Sequence, residues 1–409
     1  MREVDVCVVG AGPVGGTLAC LLAQSGVRTA IVDRAALPPM EHPAFDGRAY
    51  AIAAGSRAVM QSAGVWDRLP FAPGPIRDIR VSDGKLGRAA SRLHLHFAVD
   101  DVGAEAFGWM VEARSLRVAL NGLMHALPQL ELFAPARATV TRHEDRAEIA
   151  IAGGETLSAR LVVAADGRGS TLRAEAGIPV THLPYDQVGI VCTIAHERPH
   201  EGVALEHFLP AGPFALLPMA GTAEEPNISA IVWTERTAMA AHIMQLDDDR
   251  FVRELVRRLG SYLGAVRVLT GRWSYPLRAL LVQRYTAPRL ALIGDVAHGI
   301  HPIAGQGLNL GFRDVGCLGA LIADAVACGE DPGGPELLRR YQATRRPDNL
   351  MMLAATDSLD RLFSNDLPPL RLAQASWSST NRDVISSSFC PSWWMLQNAF
   401  PASAKIVEF

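Results

Sequence analysis

The first 33 residues carry the pattern that most restricts how this chain can fold. An apolar run from Val4 to Val9 leads into the sequence GAGPVG at residues 10–15, and a helical pattern extends from Thr17 to Ser25. A second apolar run follows from Val27 to Val32. A strand, a glycine-rich turn that opens a helix, and a second strand form a βαβ unit whose glycines let the backbone approach a pyrophosphate. We therefore predict a Rossmann-like nucleotide-binding unit.

An acidic residue ends the second strand of this unit. Asp33 lies 18 residues after Gly15, about where a carboxylate hydrogen-bonds a ribose hydroxyl, and this feature fits FAD and NAD equally well. The predicted nucleotide contacts of the unit are Gly10, Gly12, Pro13, Val14, Gly15, Asp33 and Arg34.

Two later strand ends repeat the combination of glycine and aspartate. Asp166-Gly167 follows the apolar run from Leu161 to Ala164, and Gly294-Asp295 follows the run from Arg289 to Ile293. Either dipeptide alone is a turn signal, but beside the N-terminal unit we predict both as cofactor contacts. A glycine-rich turn then opens a helix whose backbone N–H groups favour an anion or an electron-rich ring. Its predicted contacts are Gly305, Gln306, Gly307, Leu308 and Asn309.

Composition narrows the class of partner. The 409 residues are 49% hydrophobic and 20% charged with a net charge of −3, so a basic field for nucleic acid is absent and a globular protein is expected. The six cysteines are scattered without metal-ligand spacing, which favours a reducing cytoplasm and predicts no metal site. No apolar run reaches the roughly 18 residues that span a bilayer, so we expect any membrane contact to be peripheral.

The remaining pattern suggests interleaved domains. Strand-like runs between Val180 and Pro288 predict a mostly antiparallel sheet that forms a substrate domain, and a helix is predicted from Tyr50 to Ala63. The predicted boundaries are 1–75, 99–179 and 286–330 for the cofactor domain, 76–98 and 180–285 for the substrate domain, and 331–409 for a C-terminal helical region.

Near the C-terminus, the predicted helix from Glu336 to Arg345 forms a basic cluster of Arg339, Arg340 and Arg345, together with Arg346. We predict this cluster to be a solvated face, with an anionic partner or headgroup as the alternative. After Leu372 the sequence becomes rich in serine and tryptophan. A lineage-specific tail and a shifted reading frame both fit this break, and resequencing the gene decides between them.

Three elements, the glycine-rich turn at residues 10–15, Asp166-Gly167 and Gly294-Asp295, stand in the order found in class A flavoprotein aromatic hydroxylases. The chain resembles this family. The run HPIAGQGLNLG at residues 301–311, closing with Asp314, is similar to the signature of the ubiquinone-biosynthesis branch. The stretches at 340–349 and 362–365 also resemble that branch, so the match covers about residues 4 to 372.

The resemblance implies an α/β (α+β overall) fold of the p-hydroxybenzoate hydroxylase type: a Rossmann-like FAD-binding domain, an interleaved antiparallel substrate sheet and C-terminal helices. It places Arg48 near the middle of an extended FAD, Asp295 beside the ribityl chain and the turn at 305–309 at the flavin's pyrimidine end, with Arg117 as a further contact. Two departures, Asp33 instead of glutamate and Ala113 instead of a polar residue, would weaken FAD binding modestly.

The implied activity is hydroxylation of a polyprenylated phenol with NADPH or NADH and O2, without a second dinucleotide fold for the nicotinamide. His301 and Pro302 would lie beside the reactive edge of the flavin as catalytic residues, although His301 can equally be a buried residue that fixes the loop. A phenol or quinone precursor and a quinone-biosynthesis protein complex are the implied partners, with peripheral membrane association.

Three alternatives stay open. A soluble aromatic-acid hydroxylase should carry an anion-binding arginine in the sheet domain. A flavin-bound, non-catalytic component of a quinone-synthesis assembly should show no turnover of its own. An FAD reductase of isoprenoid double bonds should lack the long run that starts at His301.

Overall fold

The computed structural model describes residues 1–38, 48–84, 86, 94–101, 103–301 and 305–363. Its strands are β1 (Arg2–Val9), β2 (Thr29–Val32), β3 (Ala49–Ala53), β4 (Gly74–Ile76), β5 (Asp78–Asp83), β6 (His94–Ala98), β7 (Gly108–Glu112), β8 (Leu130–Phe133), β9 (Ala138–Arg142), β10 (Ala147–Ile151), β11 (Thr156–Ala164), β12 (Val180–His196), β13 (Val203–Leu209), β14 (Gly212–Pro218), β15 (Ile228–Arg236), β16 (Val266–Val268), β17 (Trp273–Val282), β18 (Thr286–Ala287), β19 (Leu290–Leu292) and β20 (His298–Gly299). Its α-helices are α1 (Pro13–Gln24), α2 (Ala54–Ser62), α3 (Ala113–Ala126), α4 (Thr171–Glu175), α5 (Thr237–Met244), α6 (Asp248–Leu259), α7 (Gln306–Ala327) and α8 (Pro335–Phe363).

The first sheet has the strand order β18-β19-β11-β1-β2-β8, with the β9–β10 hairpin added beside β11. Strands β19, β11, β1, β2 and β8 run parallel, and the first four of them are almost continuously buried. Such apolar runs are typical of parallel strands that are covered on both faces. The register pairs Val9 with Val32 and Ala164, and Ala164 with Leu292, so the carboxyl ends of four strands meet at one edge.

The second sheet has the order β20-β17-β12-β15-β14-β13-β5-β6, and β16 pairs with β12. Its pairs are antiparallel except for β13 with β5. One face packs on α5 and α6 around the buried rings of Trp233 and Phe251, which lie 5.7 Å apart. Part of the other face packs on a three-stranded sheet of order β3-β7-β4.

The predicted mixture of a parallel cofactor sheet and a mostly antiparallel second sheet is confirmed. The prediction of a helix from Tyr50 is wrong at its start, because residues 49–53 form β3 and α2 begins at Ala54. Pairing of β3 with β7 here overrides the helical propensity of alanine. Neither α5 nor β17 was predicted from the sequence. The predicted domain boundaries stay a prediction.

The basic cluster on α8 is not the uniform solvated face that the sequence predicts. Arg345 is 4% exposed and packs into the protein interior, whereas the side chain of Arg339 is 69% exposed. None of the helices in the described part of the chain is both long enough and apolar enough to cross a membrane. The unusual tail after Leu372 lies outside the described residues.

Candidate cofactor and active site

The predicted cofactor residues of the first sheet lie in one row. Asp295, Asp166, Gly10 and Asp33 follow the carboxyl ends of β19, β11, β1 and β2, which are neighbours in that order. Adjacent strands are about 4.8 Å apart, so the row extends over about 14 Å. This edge of an open parallel sheet is where such folds bind ligands, and its length suits an extended dinucleotide.

The three glycines of the first turn have different surroundings. Gly10 has φ +107°, and a β-carbon added there would lie 2.8 Å from the backbone nitrogen of Asp166. A β-carbon at Gly15 would lie 2.7 Å from that of Ala165 and would also collide with the carbonyl oxygen of Gly10. At Gly12 it would meet no described atom within 4 Å. Gly10 and Gly15 therefore permit close packing of the turn on β11, whereas Gly12 leaves space for a ligand.

Asp33 stabilises this turn. Its Oδ2 accepts a hydrogen bond from the backbone N–H of Ala11 at 2.6 Å, and its Oδ1 accepts one from Ala35 at 2.7 Å. A carboxylate oxygen can accept more than one hydrogen bond, so Asp33 retains capacity for a sugar hydroxyl. The neighbouring Arg34 is exposed.

The Asp166-Gly167 and Gly294-Asp295 turns are linked by two arginines. Arg168 Nε lies 3.0 Å from Asp295 Oδ2, with both side chains about half exposed. The buried Arg173 donates to the carbonyl oxygens of Val296 at 2.9 Å and Arg168 at 2.7 Å. Arg173 connects these turns although the sequence did not nominate it.

Asp166 also carries a signal for a ligand. Its Oδ2 accepts from the backbone N–H of Thr171 at 3.1 Å, whereas its Oδ1 is buried and has no hydrogen-bond partner among the described residues. An unsatisfied buried acceptor is costly, so a donor from outside the chain would stabilise it. Gly167, with φ +88°, faces open space on its Cβ side in the described structure.

Helix α1 joins the Gly294-Asp295 turn through Val14. A β-carbon at Gly294 would lie 3.3 Å from the Val14 methyl groups, and one at Gly311 would lie 2.5 Å from Val14 Cγ2. Pro13 occupies the first turn of α1, where its missing N–H has no intrahelical role. The start of α1, the Gly294 turn and α7 therefore form one packed unit.

The predicted flavin-binding turn at the start of α7 contains both structural and open positions. Gly305 adopts φ +63° as the N-cap, Gln306 is buried, Leu308 is half-buried, and a β-carbon at Gly307 would meet no described atom within 4 Å. Asn309 Oδ1 accepts from Ala53 N at 2.9 Å, and its Nδ2 donates to Ala51 O at 2.8 Å. Asn309 thus anchors β3 on α7, while the first turn of the helix presents its positive dipole end.

His301 is fully buried where the first sheet region meets the second sheet. Its Nε2 lies 3.1 Å from Gln187 Oε1, which as an acceptor requires the proton on Nε2, and its ring contacts Tyr185 edge-on at 5.1 Å. Tyr185 donates to Asp357 Oδ1 on α8 at 3.0 Å. These contacts fit a loop-fixing role as well as a catalytic one. Pro302 lies outside the described residues.

Arg48 and Arg117 both lie near the start of α3. Both are exposed, and the carbonyl oxygen of Arg48 accepts from the backbone N–H of Ala113 at 2.9 Å, the first residue of α3. Arg117 is on the next turn of that helix. Helix α3 packs on α1, with Leu120 and Met124 beside Gly16. The contacts of both arginines with the middle of the cofactor stay predictions.

A buried polar network, which the sequence did not predict, supports the Gly294 turn. Asp314 is completely buried and accepts from Gly294 N at 2.9 Å, His298 Nε2 at 2.6 Å and Arg345 Nε at 2.8 Å. Asn349 donates to Tyr285 Oη at 3.1 Å, and its Oδ1 accepts from Arg345 Nη2 at 3.0 Å. The available signal in the sequence was the spacing of Tyr341, Arg345 and Asn349, which follow one another at intervals of four residues and so lie on one side of α8.

Electrostatics explain why this network tolerates burial. Desolvation alone would raise the pKa of the Asp314 carboxyl, but the charges and hydrogen bonds of His298 and Arg345 lower it to about 2. Desolvation opposes the charge on Arg345 as well, and the carboxylates of Asp314 and Asp348 nevertheless raise its pKa. The network therefore holds an ionised aspartate against the backbone of the cofactor turn.

One face of the second sheet is directed at His301. Cross-strand pairing places Val191, Val232, Ala215 and Glu206 side by side on this face. Gln187, on the same face, contacts His301 at one end. At the other end the face packs on the three-stranded sheet, where Ala51 lies next to Gly305. We call these four residues the central row.

Comparison with known proteins gives the family. Residues 3–355 match the family described as FAD binding domain. The chain is 47% identical to ubiquinone hydroxylase UbiL of Rhodospirillum rubrum over 374 residues, covering 91% of this chain and 85% of that protein. It is 33% identical to 3-demethoxyubiquinol 3-hydroxylase of Escherichia coli, covering 90% of this chain and 92% of that protein.

Solved structures confirm the fold. PqsL of Pseudomonas aeruginosa, a probable FAD-dependent monooxygenase, superposes with a TM-score of 0.74 at 23% identity and covers 89% of this chain and 97% of its own. p-Nitrophenol 4-monooxygenase PnpA of Pseudomonas putida superposes with a TM-score of 0.74 at 18% identity and covers 97% of this chain and 99% of its own. The chain belongs to the FAD-binding-domain family of flavoprotein hydroxylases, within the group that contains the ubiquinone hydroxylases.

Proposed function

We propose that this protein is an FAD-dependent monooxygenase that uses NAD(P)H and O2 to hydroxylate the ring of a polyprenylated phenol in ubiquinone biosynthesis. FAD, when bound, would supply the redox chemistry, which takes electrons from NAD(P)H and uses O2 to hydroxylate the ring. The names of relatives that align over about nine-tenths of the chain support this activity. The observation that carries the choice of substrate is the composition of the central row.

The central row suits a neutral aromatic ring better than an aromatic acid. Three of its four members are apolar, and the fourth, Glu206, would repel a carboxylate. The strands β12 to β15 carry one arginine, Arg236, which is exposed at the end of β15. An anion-binding arginine inside the sheet, which an aromatic-acid hydroxylase should possess, is therefore missing from these four strands.

The chain's own residues would position the cofactor by the contacts already described. We assign the open space beside Gly12 and the carboxylate of Asp33 to the adenosine half, and Asp295 to the ribityl chain. The first turn of α7 would stabilise negative charge on the flavin through its dipole. His301, buried against Gln187, would exclude water and fix the geometry of the loop beside the ring.

The proposal extends to where the protein works. A polyprenyl chain is strongly apolar, so a phenol that carries one resides in a lipid environment or on another protein. We include in the proposal a peripheral contact with a membrane or with other quinone-biosynthesis proteins, through which the ring reaches the second sheet. Sedimentation with lipid vesicles, with and without a prenylated phenol, measures the first of these contacts.

Turnover by the purified, FAD-loaded chain tests the proposed reaction. We expect NADPH or NADH oxidation to accelerate with a prenylated phenol and the product to gain one oxygen atom from isotope-labelled O2. Oxidation that responds only to small hydroxybenzoic acids would support the aromatic-acid alternative. Substrate-independent oxidation, together with unchanged quinone intermediates in a deletion strain, would refute the proposal.

Replacing Asp295 by alanine should weaken FAD binding without weakening the fold. Its ion pair with Arg168 is half exposed, and such pairs contribute about 0–1 kcal/mol. A lost hydrogen bond to the ribityl chain should lower FAD affinity by about ten-fold. Titration of the apoprotein with FAD, monitored by flavin fluorescence, measures the loss. Asp145→Ala, at an exposed Arg146 pair, is the matched control and should bind FAD normally.

A further inference from the structure

We propose that Glu206 is the residue that selects the substrate, by accepting a hydrogen bond from a ring hydroxyl and by rejecting rings that carry a carboxylate. This inference rests on the proposed function, because it assigns the face on which the phenol ring would lie. It predicts a specificity determinant on β13 rather than on the loop that starts at His301.

The register of four strands carries the assignment. Glu206 pairs with Ala215, Ala215 with Val232, and Val232 with Val191, and directly paired residues point to the same side of a sheet. Ala204, two residues before Glu206, packs in the cluster that joins this face to the three-stranded sheet. The carboxylate is therefore on the face that contacts His301 through Gln187, and not on the face covered by α5 and α6.

Partial exposure on this face indicates room for a ligand. Glu206 and Val232 keep intermediate exposure, although both ends of the face are covered by the packing described above. The protein around Glu206 is nevertheless dense enough that desolvation raises the pKa of its carboxyl to about 7. Above that pH the group is an anion with little solvation, which makes it a strong acceptor for a hydroxyl group.

Two unsatisfied hydroxyl groups flank the central row. Thr193 and Thr234, two residues beyond Val191 and Val232 on the same face, are 0% and 2% exposed. Their Oγ1 atoms have no hydrogen-bond partner among the described residues. Each hydroxyl is open to a hydrogen bond from a polar group of a molecule bound on this face, which a purely apolar molecule could not supply.

The substitution Glu206→Gln tests the assignment at pH 8 in the FAD-loaded protein. The probes are a short-chain prenylated phenol and a hydroxybenzoic acid, and binding is followed through the flavin absorbance. We expect affinity for the phenol to fall about ten-fold and affinity for the acid to rise about ten-fold, because a charged acceptor and a repulsion are both removed. Glu206→Asp keeps the charge and should retain the rejection of the acid.

Controls separate selectivity from folding. Glutamine is isosteric and avoids a desolvated charge, so the variant should unfold at a temperature no lower than that of the native protein at pH 8. Glu224→Gln, in the exposed β14–β15 loop, should leave both affinities unchanged. An unchanged ratio of affinities in Glu206→Gln overturns the role of Glu206. A native protein that prefers the hydroxybenzoic acid overturns the proposed function instead.

Discussion

Alanine at Gly15 is expected to disrupt the cofactor domain, whereas alanine at Gly12 is expected to remove FAD and leave the fold intact. The added methyl group at Gly15 would meet the carbonyl oxygen of Gly10 and the side chain of Ala165, neither of which is the end of a flexible side chain. Overpacking of this kind costs about 1–3 kcal/mol and sometimes more. We expect poor recovery of folded Gly15→Ala protein and a clear fall in its melting temperature.

The methyl group at Gly12 would instead project into the space assigned to the adenosine half of FAD. Gly12 has φ −64°, which alanine adopts without strain, and the loss of glycine at a helix N-cap costs less than about 1 kcal/mol. The apoprotein should therefore melt normally while its FAD affinity falls more than ten-fold. Melting of the apoprotein and titration with FAD distinguish the two effects.

Gly16→Ala is the matched control, because it adds the same methyl group in α1 directly after Gly15. Its nearest contacts would be at 3.4 Å, an ordinary packing distance, and alanine favours a helix by up to about 1 kcal/mol over glycine. It should keep both stability and FAD. Normal FAD binding by Gly12→Ala would contradict the placement of the cofactor over this turn.

The glycine contrast illustrates what the sequence could and could not predict. The βαβ order, the strand ends and the positions of Asp33, Asp166 and Asp295 followed from local pattern, because parallel strands necessarily bring their carboxyl ends to one edge. Which glycine packs and which faces a ligand depends on how closely the end of β11 approaches the first turn, a contact between residues at least 150 positions apart. From their spacing alone, all three glycines were predicted to let the backbone approach a pyrophosphate.

The second sheet shows the same limit in another form. Strand-like runs in the sequence located β13, β14 and β15, but Glu206 became a candidate only when the register placed it beside Ala215 on the face directed at His301. A local pattern defines two faces of a strand and does not say which one borders a site. Asn309 is a second example, because its side-chain amide bonds Ala53 and Ala51 of β3, a long-range contact that the motif does not reveal. Its contact with the cofactor stays a prediction.

Arg345 was misplaced for a related reason. On a helix rich in arginine the usual expectation is a solvated face, and only the buried carboxylate of Asp314, 31 positions away, explains why one arginine is internal. Helical spacing from Tyr341 to Arg345 and Asn349 was the available hint. A charge on an otherwise buried stripe predicts a buried partner, because an unpaired charge there would be strongly destabilising.

Replacing Asp314 by asparagine should destabilise the protein by about 3–5 kcal/mol, the usual cost of breaking a buried ion pair. The amide cannot accept from Gly294, His298 and Arg345 together, and its own N–H₂ would face one of these donors. The Gly294 turn would lose its anchor, so we expect FAD content to fall with the melting temperature. Glu336→Gln, which removes the exposed partner of Arg339 on α8, is the control and should melt like the native protein.

Acid should reproduce part of this loss in the native protein. The folded pKa of Asp314 is depressed to about 2 from an ordinary value of 3.8, so its contribution is present above about pH 4 and disappears as the pH falls towards 2. The difference in melting temperature between native and Asp314→Asn proteins should therefore narrow over that interval. A difference that stays constant from pH 5 to pH 2 would contradict an ionised Asp314.

A double substitution separates the ion pair from the anchoring of the turn. Asp314→Asn with Arg345→Met removes the uncompensated charge, and replacing both members of a buried pair often restores stability. The hydrogen bond from Gly294 N to a carboxylate stays lost in this variant. Recovery of the melting temperature without recovery of FAD affinity would show that Asp314 positions the cofactor turn. Recovery of both would reduce its role to neutralising Arg345.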